Sequence, residues 1–385
     1  MSFSVFRNQY YQERLAFYES LDLGRLSETE LIDVAGEASS LHKFLTDILE
    51  EGYATAVNQL VAQTDAMNRL QRFLSTVLHV LGPPSERERF YLFPESTALD
   101  RITTESFEGG KTFELPAYLD DLDQLSDRVV DIAQCFDTAQ QRQRWQAKTQ
   151  VLMTEMFAFL KWICGELTWR EPVVPVPLLR DTLLIEMGLK WLRRQGLSVP
   201  KSKPAMIGRK FADTCGNGRY IHAALGDVIY RVLLESRPCD LAGLRRQFAT
   251  SVLEEPDIPV SFTQACRDYL TELDLKAPPL FIESGVQGTF TLFLLSLTSD
   301  VGDMVFYTTT PWLFPIYEPI VFQKNYNYLR EMETIVAHDY LFQFKARHEG
   351  IVYVEETTNE RARHLALYEI HAFKDIVKSR LDEIV

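Results

Sequence analysis

The stretch Leu280-Phe-Ile-Glu-Ser-Gly-Val-Gln-Gly-Thr-Phe-Thr-Leu-Phe-Leu-Leu-Ser-Leu297 decides how the second half of this chain is read. An apolar run ends at Glu283. Ser284, Gly285, Gly288 and Thr289 follow in a short turn, and a second apolar run of helical length begins at Phe290. Strand, glycine turn and helix in that order form an anion site, because the first helical N–H groups point unpaired into the turn. Glycine suits a backbone that must take positive φ or lie close to a ligand. Glu283 then stands at the carboxyl end of a strand, where ligands bind in open α/β sheets.

Working outward, the region from Arg170 alternates between short apolar or β-branched runs and helical periodicity. The spacing predicts strands at 205–207, 280–283, 304–308, 334–337 and 351–354. It predicts helices at 182–195, 221–235, 241–253, 262–273, 289–298 and 359–381. Such alternation signals an α/β domain with a mostly parallel sheet and crossover helices. The first 170 residues read instead as helical. Ser27-Glu-Thr-Glu30 is a capping box ahead of an apolar stripe from Leu31 to Ile48. A second helix is expected from Ala54 to Leu81, stopped by Gly82-Pro83-Pro84. A loop-rich connector follows over 87–112. Pro116 opens a helix expected to run to Cys135, and another spans 138–167. The expected organisation is an all-α helical domain over 1–170 and an α/β phosphate-ligand-binding domain over 171–385.

Two further loops fall at predicted strand ends. Arg180 and Asp181 sit between Leu179 and the helix that starts at Thr182. Asp181 is a natural helix cap, or a base or metal ligand; Arg180 suits a phosphate. Gly208-Arg209-Lys210 follows the strand at 205–207, and its cations are solvated loop charges or a second phosphate grip. A parallel sheet gathers all three loops along one edge. Arg180, Arg209, Lys210 and the turn amides would then face Asp181 and Glu283, a mix that suits a polyanion with Mg²⁺. On that reading Gly288→Val removes ligand binding and leaves the fold intact.

Composition narrows the partners. The chain has 385 residues, 46% of them hydrophobic, and a formal net charge of -14. That balance disfavours nucleic acid and anionic membrane as partners. No apolar run is long enough to span a bilayer, and the N-terminus lacks the pattern of a secretory signal. Five dispersed cysteines without a CxxC pair point to reduced thiols and a cytoplasmic location. The aromatic group Tyr307, Trp312, Phe314, Tyr317, Phe322, Tyr326 and Tyr328 reads as core or as the interface of a homo-oligomer, rather than as a base-stacking surface. His364 and His371 share a helix face without a third ligand. His338-Asp339, read as strand, would point to opposite faces. No GxSxG, Walker A or full GxGxxG motif occurs.

Ile282-Glu-Ser-Gly-Val-Gln-Gly-Thr289 resembles the ribose-phosphate loop of type I phosphoribosyltransferases, in which an apolar strand and two acids precede a turn rich in Gly and Thr. Ser284 stands where the family has its second acid, and the loop is shorter. The resemblance implies that Glu283 contacts ribose hydroxyls and that Gly288 and Thr289 wrap a 5′-phosphate. Arg180-Asp181-Thr182, Gly208-Arg209-Lys210 and Glu283 to Thr289 are also similar in order to loops of some haloacid dehalogenase-like hydrolases. Leu179 stands at the position of that superfamily's nucleophile. The expected function is phosphoribosyltransferase-like, with a phosphorylated sugar or nucleotide as ligand. The alternatives are a dehalogenase-like phosphohydrolase and a non-enzymatic nucleotide-sensing or assembly protein.

Overall fold

The computed structural model describes residues 3–27, 30–31, 34–35, 38, 41–42, 57–81, 107–128, 130–170, 172–235, 240–284, 288–298, 302–309, 313–323 and 336–384. Two long helices open it, α1 (Phe3–Ser20) and α2 (Val57–Leu81). Leu15 and Tyr18 pack with Leu70, Leu74 and Val77, and with Leu31, Ala35, Ala38 and Leu41. Their spacing of three or four residues puts one apolar stripe on each helix. The Ser27 capping box forms: the Ser27 amide donates to Glu30 Oε2 at 2.8 Å, and the Glu30 amide donates to Ser27 Oγ at 3.3 Å. The connector over 87–106 and the turn at Gly82-Pro83-Pro84 lie outside the described residues.

β1 (Thr112–Glu114) leads into α3 (Leu115–Leu125), with Pro116 in its first turn. This helix stops ten residues before Cys135, contrary to the expectation. The Ser126 hydroxyl donates to the Asp123 carbonyl at 2.6 Å, and the Ala133 amide donates to Asp131 Oδ1 at 2.8 Å. Such short polar side chains offer the backbone a turn in place of the helix. α4 (Ala139–Trp169) starts at a full capping box between Thr138 and Gln141. The hydrophobic clusters divide between Val77 and Leu115, so the boundary expected near residue 170 falls inside the larger cluster.

β2 (Val174–Pro177), β3 (Pro279–Glu283) and β4 (Asp303–Phe306) form a parallel sheet in that spatial order. Parallel bridges extend it on both sides, Leu178 to Ala205 and Phe306 to Val321. In chain order the five positions therefore run second, first, third, fourth, fifth. The strand expected at 205–207 is reduced to the single bridge at Ala205. The chain leaves β2 toward Ala205 through α5 (Leu183–Arg194). It returns to β3 through α6 (Arg209–Asp213), α7 (Gly218–Glu235), α8 (Leu241–Leu253) and α9 (Val260–Glu272). The direction of winding reverses between β2 and β3, and such a reversal opens a crevice at the strands' carboxyl ends. α10 (Thr289–Leu297) joins β3 to β4, and α11 (Phe314–Tyr317) follows β4.

The expected parallel strand over 351–354 exists but belongs to a second sheet. β5 (Phe342–His348) and β6 (Ile351–Glu356) form an antiparallel hairpin, and β1 pairs with β6 on its other edge. The hairpin turn is Glu349-Gly350, with φ of 49° and 78°, the conformation that two-residue hairpin loops favour. Val336 and Ala337 are not strand, and residues 334–335 lie outside the description. α12 (Glu360–Ser379) closes the chain, capped by Asn359, whose side chain accepts from the Ala362 amide. Among the described residues, no helix is long and apolar enough to cross a membrane.

Candidate functional site

The loop after β2 and the loop after β3 meet at the winding reversal. The ladder continues past the named strands: the Leu178 amide donates to the Ile282 carbonyl, and the Thr308 amide donates to Ser284 O at 3.1 Å. Beyond that point the side chains take over. Ser284 Oγ donates to Asp181 Oδ2 at 3.2 Å, although the residues are 103 positions apart. Ser284 is buried and Asp181 is exposed, so the serine anchors a carboxylate that faces solvent. Two of the three predicted loops thus share one crevice.

Glu283 turns toward the first turn of α10, where Thr291 Oγ1 donates to its Oε2. The residue keeps some accessible surface, but its carboxyl group is enclosed. Burial pushes that carboxyl up to about 7; the Thr291 hydrogen bond opposes the shift and the negative Asp181 adds to it. Gly288 caps α10 in the left-handed region, with φ 66° and ψ 25°. Thr289 is buried at the first helical position, and among the described residues no side chain caps the opening amides of α10. Gly285 lies outside the described residues.

Arg180 follows the cis peptide Leu179–Arg180. Its guanidinium carbon lies 5.9 Å from the Tyr340 ring centre. Tyr340 belongs to a 3₁₀ turn over His338–Tyr340 that the sequence reading missed. In a strand, His338 and Asp339 would point apart. In this tight turn, His338 Nε2 lies 3.3 Å from Asp339 Oδ1. His338 Nδ1 lies 2.7 Å from Glu369 Oε2 on α12. Burial holds the Asp339 carboxyl above its ordinary range, with Asp181 and Glu369 adding to the shift and His338 and Arg180 opposing it. Burial works against a charge on His338, but Asp339 and Glu369 outweigh it and raise its pKa. The result is a Glu369–His338–Asp339 chain of proton-holding groups ending beside Arg180 and Asp181. Glu369 and His338 can hold a proton between them, while His338 Nε2 and Asp339 Oδ1 face each other without a hydrogen bond.

The third predicted loop sits apart. Arg209 and Lys210 are exposed at the start of α6. Arg209 is felt by His222, which burial and that positive charge push down to about 4. The His222 ring is 5.5 Å from Phe290, so Arg209 flanks α10 from the α7 side. Among the described residues, neither Arg209 nor Lys210 bonds to Asp181, Glu283 or Ser284. The aromatic group is core where it is described: Tyr307 and Tyr317 are fully buried, and Phe322 packs on Phe159 and Trp162. His364 and His371 serve packing, His371 Nδ1 lying 2.7 Å from the Ser126 carbonyl oxygen. Among the described residues, no group of three or more His, Cys, Asp or Glu has the arrangement to hold a metal ion by itself.

The raised Glu283 carboxyl has a measurable consequence. Its ordinary pKa of 4.5 becomes about 7 in the fold, so the native state holds the proton more tightly. The associated stability is complete below about pH 4.5 and is lost as pH rises through 7. Allowing for residual solvent contact, the loss is about 2 kcal/mol. Glu283→Gln keeps an acceptor for Thr291 and removes the charge. It is expected to stabilise the protein by about 2 kcal/mol at pH 8 and to flatten the decline between pH 5 and 8. Urea unfolding across that range measures both effects, and a destabilised variant at pH 8 would contradict the assignment. Against family models, curated proteins and solved structures the chain finds no match.

Proposed function

We propose that the crevice between β2 and β3 binds a phosphorylated sugar or nucleotide and works in the manner of a phosphoribosyltransferase. The contact between Ser284 and Asp181 carries this reading, because it joins the loops after β2 and β3 at the winding reversal. Beside them, α10 opens behind Gly288, with no side-chain cap among the described residues, and a helix N-terminus suits a phosphate. Thr289 and the α10 amides hold the 5′-phosphate. Glu283 positions the ribose, Arg180 meets the diphosphate, and Asp181 assists a cation or a proton. As the anomeric carbon loses diphosphate and bonds to an acceptor, positive charge develops on the sugar, and fixed carboxylates stabilise it. Arg209 and Lys210 reach only a ligand that extends toward α7.

Mg²⁺ fits this donor set in one way. Asp181 and Glu283 are electrostatically coupled carboxylates at one sheet edge. The exposed Asp181 would supply a ligand oxygen, with the enclosed Glu283 adding negative charge behind it, and Mg²⁺ commonly completes its shell with phosphate oxygens and water. When bound, the ion would neutralise the diphosphate.

Calorimetric titration with phosphoribosyl diphosphate and Mg²⁺ tests the reading. The expected result is binding in the micromolar range, weakened about tenfold or more, or at least 1.4 kcal/mol, by Asp181→Asn. Asp181 is exposed, so the variant should stay folded. No binding at millimolar ligand would remove the phosphoribosyl reading. Release of phosphate from simple esters, lost in the same variant, would favour the phosphohydrolase.

A further inference from the structure

A cavity lies away from the β2–β3 loops. It has a volume of about 510 Å³ and is walled by α3, α5, the segment 201–204, the end of α9 and the β5–β6 hairpin. That volume falls within the roughly 300–1,000 Å³ of small-molecule sites. Tyr269 and Leu273 give it an apolar flank, and its charged lining mixes Lys190, Arg193, Lys201, Lys203 and Arg347 with Glu114, Asp120, Glu186 and Glu272. Some of this charge is committed. Lys190 pairs with Asp120, and Arg193 donates to the Pro200 carbonyl at 3.2 Å and to Ser202 Oγ at 3.3 Å. Arg347 Nη1 lies 3.3 Å from Glu272 Oε2 without making a hydrogen bond. Lys201 and Lys203 also line the cavity and make no ion pair among the described residues, although the Lys203 charge helps to lower the Asp274 carboxyl.

Glu186 is the decisive group. It lies on the first turn of α5, is 5% exposed, lines the cavity, and its Oε2 has no hydrogen-bond partner. A buried carboxylate oxygen left open is costly, and proteins normally satisfy such atoms. Burial pushes the carboxyl up to about 7, while Ser202, Arg193 and Lys190 pull it down. An enclosed, unpartnered acceptor on a lining residue, with Lys201 and Lys203 elsewhere in the same lining, is complementary to a molecule that is anionic at one end and carries an N–H donor at the other.

We propose that this cavity is a second ligand site for a nucleotide-sized organic anion, with its phosphate on Lys201 and Lys203 and a heterocycle N–H on Glu186 Oε2. The inference is independent of the reading of the β2–β3 crevice. Lys201 and Lys203 lead into Ala205, which bridges to Leu178, and α5 begins two residues after Asp181. The two sites are therefore joined through α5 and the 201–205 segment, and none of Arg180, Asp181, Glu283 or Ser284 lines the cavity.

The test is calorimetric titration of the full chain with GMP, AMP and inorganic phosphate, without phosphoribosyl diphosphate. At least one mononucleotide should bind. The double variant Lys201→Glu, Lys203→Glu should weaken it about tenfold or more, as should Glu186→Met, which keeps the volume and removes the acceptor. Asp181→Asn should leave that affinity unchanged. Binding of neither nucleotide, equal affinity in the lysine variant, or loss through Asp181→Asn alone would overturn the proposal. So would inorganic phosphate binding as tightly as the nucleotide.

Discussion

Gly288→Val is expected to destabilise the protein by about 3–5 kcal/mol, a loss large enough to lower the urea midpoint sharply. Two independent costs combine. Gly288 has φ 66°, in the left-handed region that a β-branched residue occupies only with strain. A Cβ at this position would also lie 2.5 Å from Cζ of Phe306. The Phe306 ring has little room to withdraw, being 1% exposed and stacked on the fully buried Tyr317 at 5.3 Å. The sequence alone suggested that this substitution would remove binding and spare the fold. The structure reassigns the glycine: it lets the backbone lie against Phe306 of β4 at the start of α10, so ligand loss in this variant would not identify a phosphate site. Thr289→Val is the paired measurement, since it keeps the shape and removes the hydroxyl. Near-wild-type stability in Gly288→Val would show that the loop can relax away from Phe306.

The contrast between the two halves of that glycine reading runs through the molecule. Helix boundaries were legible where the stop and start signals are local. Asp240 accepts from the Gly243 amide at 2.6 Å and sets the start of α8 at Leu241; Thr138 does the same for α4. The strand–turn–helix around Glu283 was legible because apolar runs, glycine and chain direction agree there. β5 went unread despite a usable signal. Phe342, Phe344 and Ala346 alternate with Gln343, Lys345 and Arg347, and Glu349-Gly350 makes a two-residue turn. A register shift between Phe344 and Ala346 interrupts the pairing, and a bulge of that kind weakens strict alternation. The separate antiparallel sheet followed from this omission. At the site, Asp181 and Ser284 were both singled out, but nothing local says that they touch. Glu369 went unread altogether. It stands on the apolar face of α12, among Leu365, Ala366, Ile370 and Phe373, where a lone acid is a usable signal, but its partners are set only because α12 packs against a turn 31 residues earlier in the chain.

Glu369→Ala should accordingly cost about 3–5 kcal/mol, mainly because of what it leaves behind. The carboxylate is 1% exposed. It accepts from the Ala337 amide at 2.8 and 3.0 Å and from the His338 amide at 2.9 Å. It also faces His338 Nδ1 at 2.7 Å. Removing it strands two buried amide donors and an imidazole whose positive form it stabilises. His338 is raised above 6.5 in the fold, so its stabilising contribution is complete below pH 6.5 and is lost as pH rises past the native value. The penalty of Glu369→Ala should therefore be larger at pH 6 than at pH 9, which chemical denaturation at the two values can read. Glu369→Gln keeps an acceptor oxygen but turns an NH₂ toward donors, so an intermediate loss is expected. The functional readout separates scaffold from site. If the Glu369–His338–Asp339 chain serves the crevice, Glu369→Gln will shift the pH profile of ligand binding at Asp181 under conditions where the protein remains fully folded. An unchanged profile would leave Glu369 as the pin that holds the His338–Tyr340 turn against α12.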